Sequence, residues 1–159
     1  KKSQGRFLLN NLPPPSPYQQ IDTLKVAKKH FKLTSNRLND LGDYLKVGKK
    51  VETGGFDLWL QCMAGDMRAW AKMKKYNKQD VALLEEVYLK LRPWMDNHPN
   101  MANIAGRPDV CPVCTGTTGF LAQGFRFTKT GRYRRWQCKD CGRYVSERAK
   151  VKEDGPVYV

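Results

Sequence analysis

The chain has 159 residues, of which 40% are hydrophobic and 28% are charged. This size and apolar content suit one modest packed domain with a small appendage, and they exclude a wholly disordered chain. No apolar run approaches the roughly 18 to 20 residues that a membrane span needs, and the N-terminus, rich in Lys and Asn, lacks the apolar core of a signal peptide. We therefore expect a soluble, cytoplasmic protein that has no membrane partner.

Positive charge dominates the sequence and is unevenly distributed. Lys and Arg outnumber Asp and Glu by 29 to 15, which gives a formal net charge of +14. Residues 1–110 carry 19 basic and 11 acidic residues, whereas residues 111–152 carry 10 and 2. Such an excess attracts polyanions through long-range steering and through release of their condensed counterions. Since charge kept only for solubility usually has mixed sign, we expect nucleic acid as the partner.

The N-terminal segment is divided by a proline-rich stretch. Residues 7–11 (FLLNN) predict the end of a regular element, which stops at residues 13–17 (PPPSP). Such a stretch is a stiff, extended connector. A short strand-like run through Tyr18 and Ile21 follows it.

Apolar residues at helical spacing predict three helices after this connector. The recurring residues are Leu24, Ala27 and Phe31; then Leu38, Leu41, Tyr44 and Leu45; then Met67, Trp70, Met73, Val81, Leu84, Val87 and Leu91. Asp22 or Thr23 is the expected cap of the first helix, and Asp66 is that of the third. Another short helix begins near Phe56. In the third helix, a break is expected near residues 76–77.

The second half of the chain changes in composition. Residues 96–110 lack periodicity and are rich in turn formers, as is typical of an interdomain linker. Beyond them, glycines separate short runs with β-propensity, which favours a module built from hairpins. The predicted segments are an α-rich domain over residues 1–97, a linker over 98–107, a β-rich module over 108–150 and a tail over 151–159. The predicted class is α/β, with little strand in the first domain.

Four of the five cysteines form two Cys-x-x-Cys pairs, Cys111 with Cys114 and Cys138 with Cys141. Each pair places two thiolates on a tight turn, and two such turns complete the tetrahedron that a structural Zn²⁺ ion prefers. Because four sulfur ligands leave no open position for water, we expect zinc to fold the module rather than to catalyse. A thioredoxin-like redox pair would need a βαβ context that is missing here. Cys62 stands alone in an apolar stretch and is expected to be buried.

Cations alternate with aromatic rings between the two cysteine pairs, in residues 125–136 (FRFTKTGRYRRW). Lys and Arg neutralise phosphates, and aromatic rings stack on unpaired bases. The candidate nucleic-acid-binding residues are Arg126, Lys129, Arg132, Tyr133, Arg134, Arg135 and Trp136. In so small a module, Phe125, Phe127 and Trp136 are equally candidates for its core, and both roles stay open.

Residues 131–145 (GRYRRWQCKDCGRYV) resemble the zinc ribbons that are attached to transposases and related DNA-handling proteins. In those proteins a hairpin of this kind grips DNA. The resemblance covers about 40 residues and implies that DNA is the partner of the module, with RNA as the alternative.

Tyr76 and Asp80 are four residues apart, so on a helix they share one face. Alone, this spacing is equally typical of a solvated helix surface. Here it precedes the apolar helix that starts at Val81, and it lies about 55 residues after the segment 21–24 (IDTL). In this setting residues 7–95 resemble the C-terminal half of a DEDD-type 3′–5′ exonuclease of the tyrosine subclass, above all its phage-encoded members, with an RNase H-like fold.

This resemblance implies roles for both residues. They match the third catalytic motif of the family, Tyr-x-x-x-Asp, in which Asp80 would coordinate one of two Mg²⁺ or Mn²⁺ ions and Tyr76 would help to position the attacking water. The proline-rich connector and the Asp-Thr-Leu junction also match the family layout, with Asp22 as a helix cap rather than a ligand. For a phage-encoded protein, the expected location is the cytoplasm of the bacterial host.

The remaining acidic motifs of that family are missing from the chain. Both the Asp-x-Glu of the first motif and the Asp of the second should lie upstream, and neither precedes Phe7. One carboxylate cannot hold two divalent cations, so this chain alone is expected to be catalytically silent. The chain begins at Lys1 rather than at Met, which fits a processed product or a part of something longer.

Three interpretations follow from the missing motifs. The chain is the C-terminal part of an exonuclease, or one piece of a split enzyme whose second chain supplies the other motifs. Alternatively, it is a non-catalytic zinc-ribbon protein, derived from a nuclease, that holds DNA or RNA without cutting it. We prefer the first interpretation.

Overall fold

The computed structural model of the protein describes residues 2–16, 19–49 and 55–147. Within these ranges a series of helices precedes a small antiparallel sheet, so the fold class is mixed α/β, as predicted. The elements are α1 (Lys2–Leu9), α2 (Thr23–His30), α3 (Leu38–Tyr44), α4 (Phe56–Met63), α5 (Met67–Leu91), a 3₁₀ turn (Arg92–Trp94), α6 (Met101–Ile104), β1 (Phe120–Thr128), β2 (Gly131–Cys138) and β3 (Tyr144–Ser146).

Strands are confined to the second half of the described chain. Before β1 the described residues form helices, turns and coil only, so the RNase H-like architecture of the first domain stays a prediction. Ile21, placed in a strand-like run by the sequence, lies in coil, whereas Tyr18 of the same run lies outside the described residues. The predicted tail 151–159 also lies outside them. We call the described residues up to 107 the helical part, and residues 108–147 the cysteine module.

Aspartate side chains begin two of the helices, as the sequence predicts. The carboxylate of Asp22 accepts hydrogen bonds from the backbone N–H groups of Leu24 at 3.0 Å and Lys25 at 3.2 Å. Asp66 accepts one from the N–H of Arg68 at 2.8 Å. Each cap satisfies backbone donors that have no partner within the helix, a contribution of about 1 kcal/mol.

Helix α5 runs without interruption over 25 residues, so the predicted break near residues 76–77 is wrong. Tyr76 packs against the apolar cluster that α4 and α5 share, which keeps this turn of the helix on the core. No Gly or Pro interrupts the helix, so its backbone hydrogen bonds continue through Asn77. The helix is about 37 Å long. Even so, none of the described helices combines the length and the apolar character that crossing a membrane requires.

Two apolar clusters lie along α5. The first packs α2 and α3 onto the second half of α5 and contains Val26, Ala27, Leu41, Leu83, Val87, Leu91 and Met95. The second packs α4 onto the first half and contains Leu58, Cys62, Ala69 and Met73. Cys62 is 5% exposed, which confirms its predicted burial. The backbone of α3 lies close to the following loop at Gly42, where a Cβ atom would lie 2.4 Å from the carbonyl oxygen of Gly48.

The segment predicted as a linker, residues 98–107, contains one helical turn, α6. Its Ala102 is buried, and the N–H of Met101 donates a hydrogen bond to the carbonyl of Pro112 at 2.8 Å. A second bond joins the same two parts, because the guanidinium group of Arg143 donates to the carbonyl of Pro93 at 2.8 Å. The helical part and the cysteine module are therefore in direct contact.

The sheet is a hairpin with one added strand. Strands β1 and β2 pair antiparallel around a two-residue turn, with Phe125 opposite Arg134 and Phe127 opposite Arg132. The register shifts between Ala122 and Phe125, where a bulge adds one residue to β1. Strand β3 pairs with the other edge of β2.

A histidine holds the chain between the two parts. The Nδ1 atom of His98 lies 2.8 Å from the carbonyl of Pro99, so it carries the proton and donates it. The Nε2 atom, 2.7 Å from the hydroxyl of Tyr88, is then the acceptor. Burial lowers the pKa of His98 below its ordinary value of 6.5, and the bond to Pro99 partly offsets this shift. The folded state therefore favours the neutral ring.

We predict that the protein loses stability as the pH falls through about 6.5, because the unfolded chain then binds a proton that folded His98 resists. The loss should be complete below the lowered pKa of the folded state. In the His98→Gln variant, the drop in melting temperature between about pH 8 and pH 5.5 should be smaller than in the parent. The variant His30→Gln leaves the pair of Tyr88 and His98 intact and is the matched control. An equal drop in all three proteins would contradict this assignment.

Candidate metal cluster and nucleic-acid interface

The four predicted cysteines come together at the base of the hairpin. All four sulfur atoms lie within 4.8 Å of one another. The Sγ atom of Cys111 is 3.9 Å from that of Cys141, and the Sγ atom of Cys114 is 3.8 Å from that of Cys138. A tetrahedron with Zn–S bonds of about 2.3 Å has edges of about 3.8 Å. The two measured separations match this edge, so the cluster could hold a metal ion such as zinc. They are far above the roughly 2.05 Å of a disulfide bond.

Backbone and side-chain hydrogen bonds hold the two cysteine turns against each other. Within the first turn, the N–H of Gly116 donates to the sulfur of Cys114 at 3.3 Å. The carboxylate of Asp140, in the second turn, accepts from both the N–H and the hydroxyl of Thr118. A Cβ atom at position 116 would lie 2.1 Å from that carboxylate, so only glycine permits the close approach.

The thiols of the cluster differ in how readily they ionise. Burial raises the pKa of both Cys114 and Cys141. The neighbouring thiols add to this effect at Cys141, whereas at Cys114 the hydrogen bonds with Gly116 and Cys141 partly offset it. Burial also opposes ionisation of Cys138, but hydrogen bonds from the N–H groups of Cys141 and Asp140 outweigh it and hold its pKa below the ordinary value. Four adjacent thiolates repel one another unless a cation lies between them, and a bound metal ion deprotonates its thiol ligands.

One face of the hairpin combines exposed rings with arginines; we call it the phenylalanine face. Facing positions on paired strands share a side of the sheet, so Phe125, Phe127, Arg132 and Arg134 lie on it together. Phe127 is 76% exposed and Phe125 is 38% exposed, so the alternative that these rings form the core of the module is wrong. The guanidinium carbon of Arg132 lies 4.7 Å from the centre of the Phe125 ring.

The opposite side of the hairpin is the tyrosine face, which carries Arg126, Tyr133, Arg135 and, on the added strand, Tyr144. The guanidinium carbon of Arg135 lies 5.3 Å from the centre of the Tyr144 ring, and its Nε atom donates to the carbonyl of Gln123 at 3.1 Å. These contacts orient the arginine. Lys129 is exposed in the turn at the tip.

Trp136 has a more structural position than its neighbours. It is half-buried, and its indole N–H donates to the carboxylate of Glu147 at 2.9 Å. The ring lines a recess of about 320 Å³ with Phe120 and Val145. Of the three rings that the sequence left open, Trp136 is therefore the least exposed.

Tyr76 and Asp80 share one face of α5, and that face is turned toward the core. The buried residues of α5 are Ala69, Met73, Leu83, Val87 and Leu91. Tyr76 and Asp80, both half-buried, continue the same stripe between Met73 and Leu83. They therefore mark the place where the two apolar clusters meet. A carboxylate on a core-facing stripe is unusual and makes a candidate functional position.

Asp80 belongs to no cluster of three or more potential metal ligands among the described residues. Within the described ranges, the four cysteines are the one group of three or more His, Cys, Asp or Glu side chains close enough to hold a metal ion. The second and third carboxylates of a two-metal site are thus not assembled around Asp80 by the described residues. Sequence reasoning also missed Arg143 and Tyr144, whose only signal was their place directly after the second cysteine pair.

No protein-family model, no curated protein and no solved structure matches this chain. The possible functions are therefore judged from the geometry of its own residues. That geometry offers a sulfur cluster suited to a metal ion, a hairpin with a cationic and aromatic surface, and a half-buried Tyr and Asp pair on α5.

We predict one tightly bound metal ion per chain, zinc being the ion that four-sulfur tetrahedra favour. The Cys138→Ser variant should lose the ion and, with it, the β-sheet signal in circular dichroism, because metal binding is coupled to folding in modules of this size. The variant Cys62→Ser alters the one cysteine outside the cluster and should keep the ion. Elemental analysis of both proteins measures the difference. A metal-free preparation that keeps an intact sheet would rule the assignment out.

Proposed function

We propose that the hairpin of the cysteine module binds nucleic acid, with DNA as the foremost partner and RNA as the alternative. The observation that carries this proposal is the phenylalanine face, on which two exposed rings lie beside Arg132 and Arg134. The arginines suit phosphate oxygens, and the rings suit unpaired bases.

The charge of the hairpin supports this proposal. Residues 120–138 contain five Lys or Arg residues and no Asp or Glu. Both faces carry cations, and the turn carries Lys129, so a polyanion meets positive charge from either side. Cations spaced along two short strands neutralise several phosphates at once and release their counterions.

The metal ion that we propose for the cluster is structural zinc. With four sulfur ligands the ion has no position for water, so its role is to hold the two turns at the base of the hairpin. The zinc then fixes the start of β1 and the end of β2. The arginines therefore keep their spacing along the strands. On this proposal the cysteine module is a zinc ribbon.

We also propose that the helical part belongs to a 3′–5′ exonuclease of the tyrosine subclass, as its C-terminal portion. What supports this is the position of Tyr76 and Asp80, one turn apart on a core-facing stripe and half-buried at the join of two clusters. Mg²⁺ or Mn²⁺, once bound, would supply positive charge that stabilises the attacking and leaving oxygens when the phosphodiester is cleaved. Asp80 would hold such an ion and Tyr76 would orient water, together with carboxylates from outside the described residues.

An exposed apolar surface on α4 and α5 adds support for a further protein segment. Six large apolar side chains are 43–77% exposed there: Phe56, Trp59, Leu60, Met63, Met67 and Trp70. Contiguous apolar patches of this kind usually mark surfaces that another protein segment covers. The alternative, a non-catalytic binding protein derived from a nuclease, needs the hairpin but neither Asp80 nor a covering segment.

The triple variant Arg132→Ala, Arg134→Ala, Arg135→Ala should bind DNA more weakly than the parent. The slope of log affinity against log salt should also become shallower by about two to three, roughly one unit for each lost phosphate contact. A triple variant of exposed lysines in the helical part, Lys28, Lys32 and Lys46 to Ala, removes the same charge and is the matched control. Fluorescence anisotropy over a salt series measures both quantities. If the two variants weaken binding equally, the hairpin is not the specific contact surface.

Asp80→Ala should abolish 3′–5′ shortening of a labelled single strand by a complete assembly, meaning the longer protein or this chain with a partner that carries the other carboxylates. Asp80→Asn keeps the shape of the side chain and should lose activity with little change in melting temperature. Asp43→Ala, at an exposed carboxylate of α3, is the control and should stay active. The 159-residue chain alone, with Mg²⁺ or Mn²⁺, should show no shortening. If the assembly with Asp80→Ala stays active, the exonuclease assignment is wrong, and the alternative of a non-catalytic nucleic-acid-binding protein is the one that stands.

A further inference from the structure

A cleft of about 650 Å³ separates the end of α5 from the second cysteine turn. The helical part contributes His30, Lys90 and Trp94 to its lining, and the cysteine module contributes Gln137, Arg143 and Tyr144. The cleft therefore exists only where the two parts meet, close to the hydrogen bond between Arg143 and Pro93.

Two exposed aromatic rings face this cleft, one from each part. Trp94 is 53% exposed and Tyr144 is 49% exposed. Both are held in place: Trp94 packs edge-on against Phe31, with ring centres 5.3 Å apart, and Tyr144 carries the guanidinium group of Arg135. Rings that are fixed in orientation yet exposed are suited to stacking on a flat ligand.

The charges in the cleft favour an anion. Arg143 and Lys90 line it, and Arg143 is held by its bond to the carbonyl of Pro93. The one carboxylate of the lining, Asp96, is paired with Nζ of Lys29 at 2.6 Å and lies 3.5 Å from Nε2 of His30. The bond from Lys29 lowers the pKa of Asp96, so this negative charge is already compensated by its own neighbours.

The cleft continues the tyrosine face of the hairpin. Tyr144 lies opposite Gln137 in the sheet, and Tyr133, Arg135 and Gln137 alternate along the same side of β2. From Tyr133 to Gln137 the strand rises about 13 Å. A strand of nucleic acid on this face would meet cations and rings from the hairpin tip into the cleft.

We propose that this cleft binds an unpaired segment of the nucleic acid that the hairpin holds, with bases stacked on Trp94 and Tyr144 and phosphates beside Arg143 and Lys90. The inference rests on the proposed nucleic-acid binding and adds to it a preference for single strands. Bases within a duplex are already stacked on each other, so the two rings contribute only where bases are unpaired.

The test compares an oligothymidylate with a duplex of matched length, by anisotropy, for the parent and for Trp94→Ala and Tyr144→Ala. Each substitution should weaken single-strand binding at least about fivefold, as expected for loss of one stacked base. Trp94→Ala should leave duplex binding within about twofold, whereas Tyr144→Ala, which also releases Arg135, should weaken single-strand binding more than duplex binding. Tyr144→Phe keeps the ring and should bind like the parent. Trp70→Ala removes an exposed ring of α5 outside the cleft and is the matched control.

Several outcomes separate this inference from the proposed function. In one outcome, Trp94→Ala and Tyr144→Ala leave single-strand binding unchanged, whereas the double variant of Arg132 and Arg134 to Ala weakens it. This result would overturn the proposed binding in the cleft and keep the proposed binding by the hairpin. A parent protein that binds neither probe would overturn both. Melting temperature and metal content check the fold of each variant. Trp94→Ala removes the contact with Phe31 and could unfold the protein for that reason. In that case, the single-strand affinity of Tyr144→Ala, a substitution on the edge strand, decides whether the cleft binds unpaired bases.

Discussion

The four sulfur atoms at the base of the hairpin supply most of the interior of the cysteine module. Its buried cluster consists of Cys111, Val113 and Cys138, with Cys114, Phe120 and Cys141 partly buried around them. Nearly all of β1 is exposed, so the sheet has little apolar area to bury. A module with so small a core depends on cross-links or a metal ion for stability. Every position that we assign to nucleic acid on the hairpin, and the side of the cleft formed by the cysteine module, therefore depends on these thiols being held together.

Helix α5 has the corresponding role in the helical part, because it contributes to both of the apolar clusters there. Its core-facing stripe is apolar except at Tyr76 and Asp80, which lie between the clusters. Where a regular pattern is broken by ionisable or polar side chains without an evident gain in packing, function is a reasonable explanation. The alternative is purely structural, with both residues providing a polar seam between two packing units. The two explanations concern the same residues at the same site. They differ because the functional one requires further carboxylates around Asp80, whereas the structural one does not.

Local signals in the sequence were sufficient for much of this structure. The caps at Asp22 and Asp66, the buried Cys62 and the meeting of the two Cys-x-x-Cys turns all depend on neighbours in the chain or on the spacing of a motif. Long-range packing was not predictable in the same way. The break expected in α5 is wrong, since Tyr76 packs against the cluster that α4 and α5 share. The cleft was missed because Arg143 meets Pro93 across 50 residues. Whether Phe125 and Phe127 lay inside or outside was undecided, since alternation does not reveal which side of a small sheet is covered.

The bulge in β1 determines the chemistry of each side of the hairpin. Below it, Phe120 and Ala122 lie opposite Cys138 and Trp136; above it, Phe125 and Phe127 lie opposite Arg134 and Arg132. The even-numbered side of β1 thus becomes the odd-numbered side after one inserted residue, near Gly124 with its φ of 70°. Without the bulge, regular alternation from Ala122 onward would carry Arg126 to the side of Arg132 and Arg134 and would send both phenylalanines to the side of Tyr133. The partition of rings and charges between the two surfaces is consequently a matter of parity, so that two hairpins with the same strand residues, one with the bulge and one without it, would place the phenylalanines on opposite sides of the sheet.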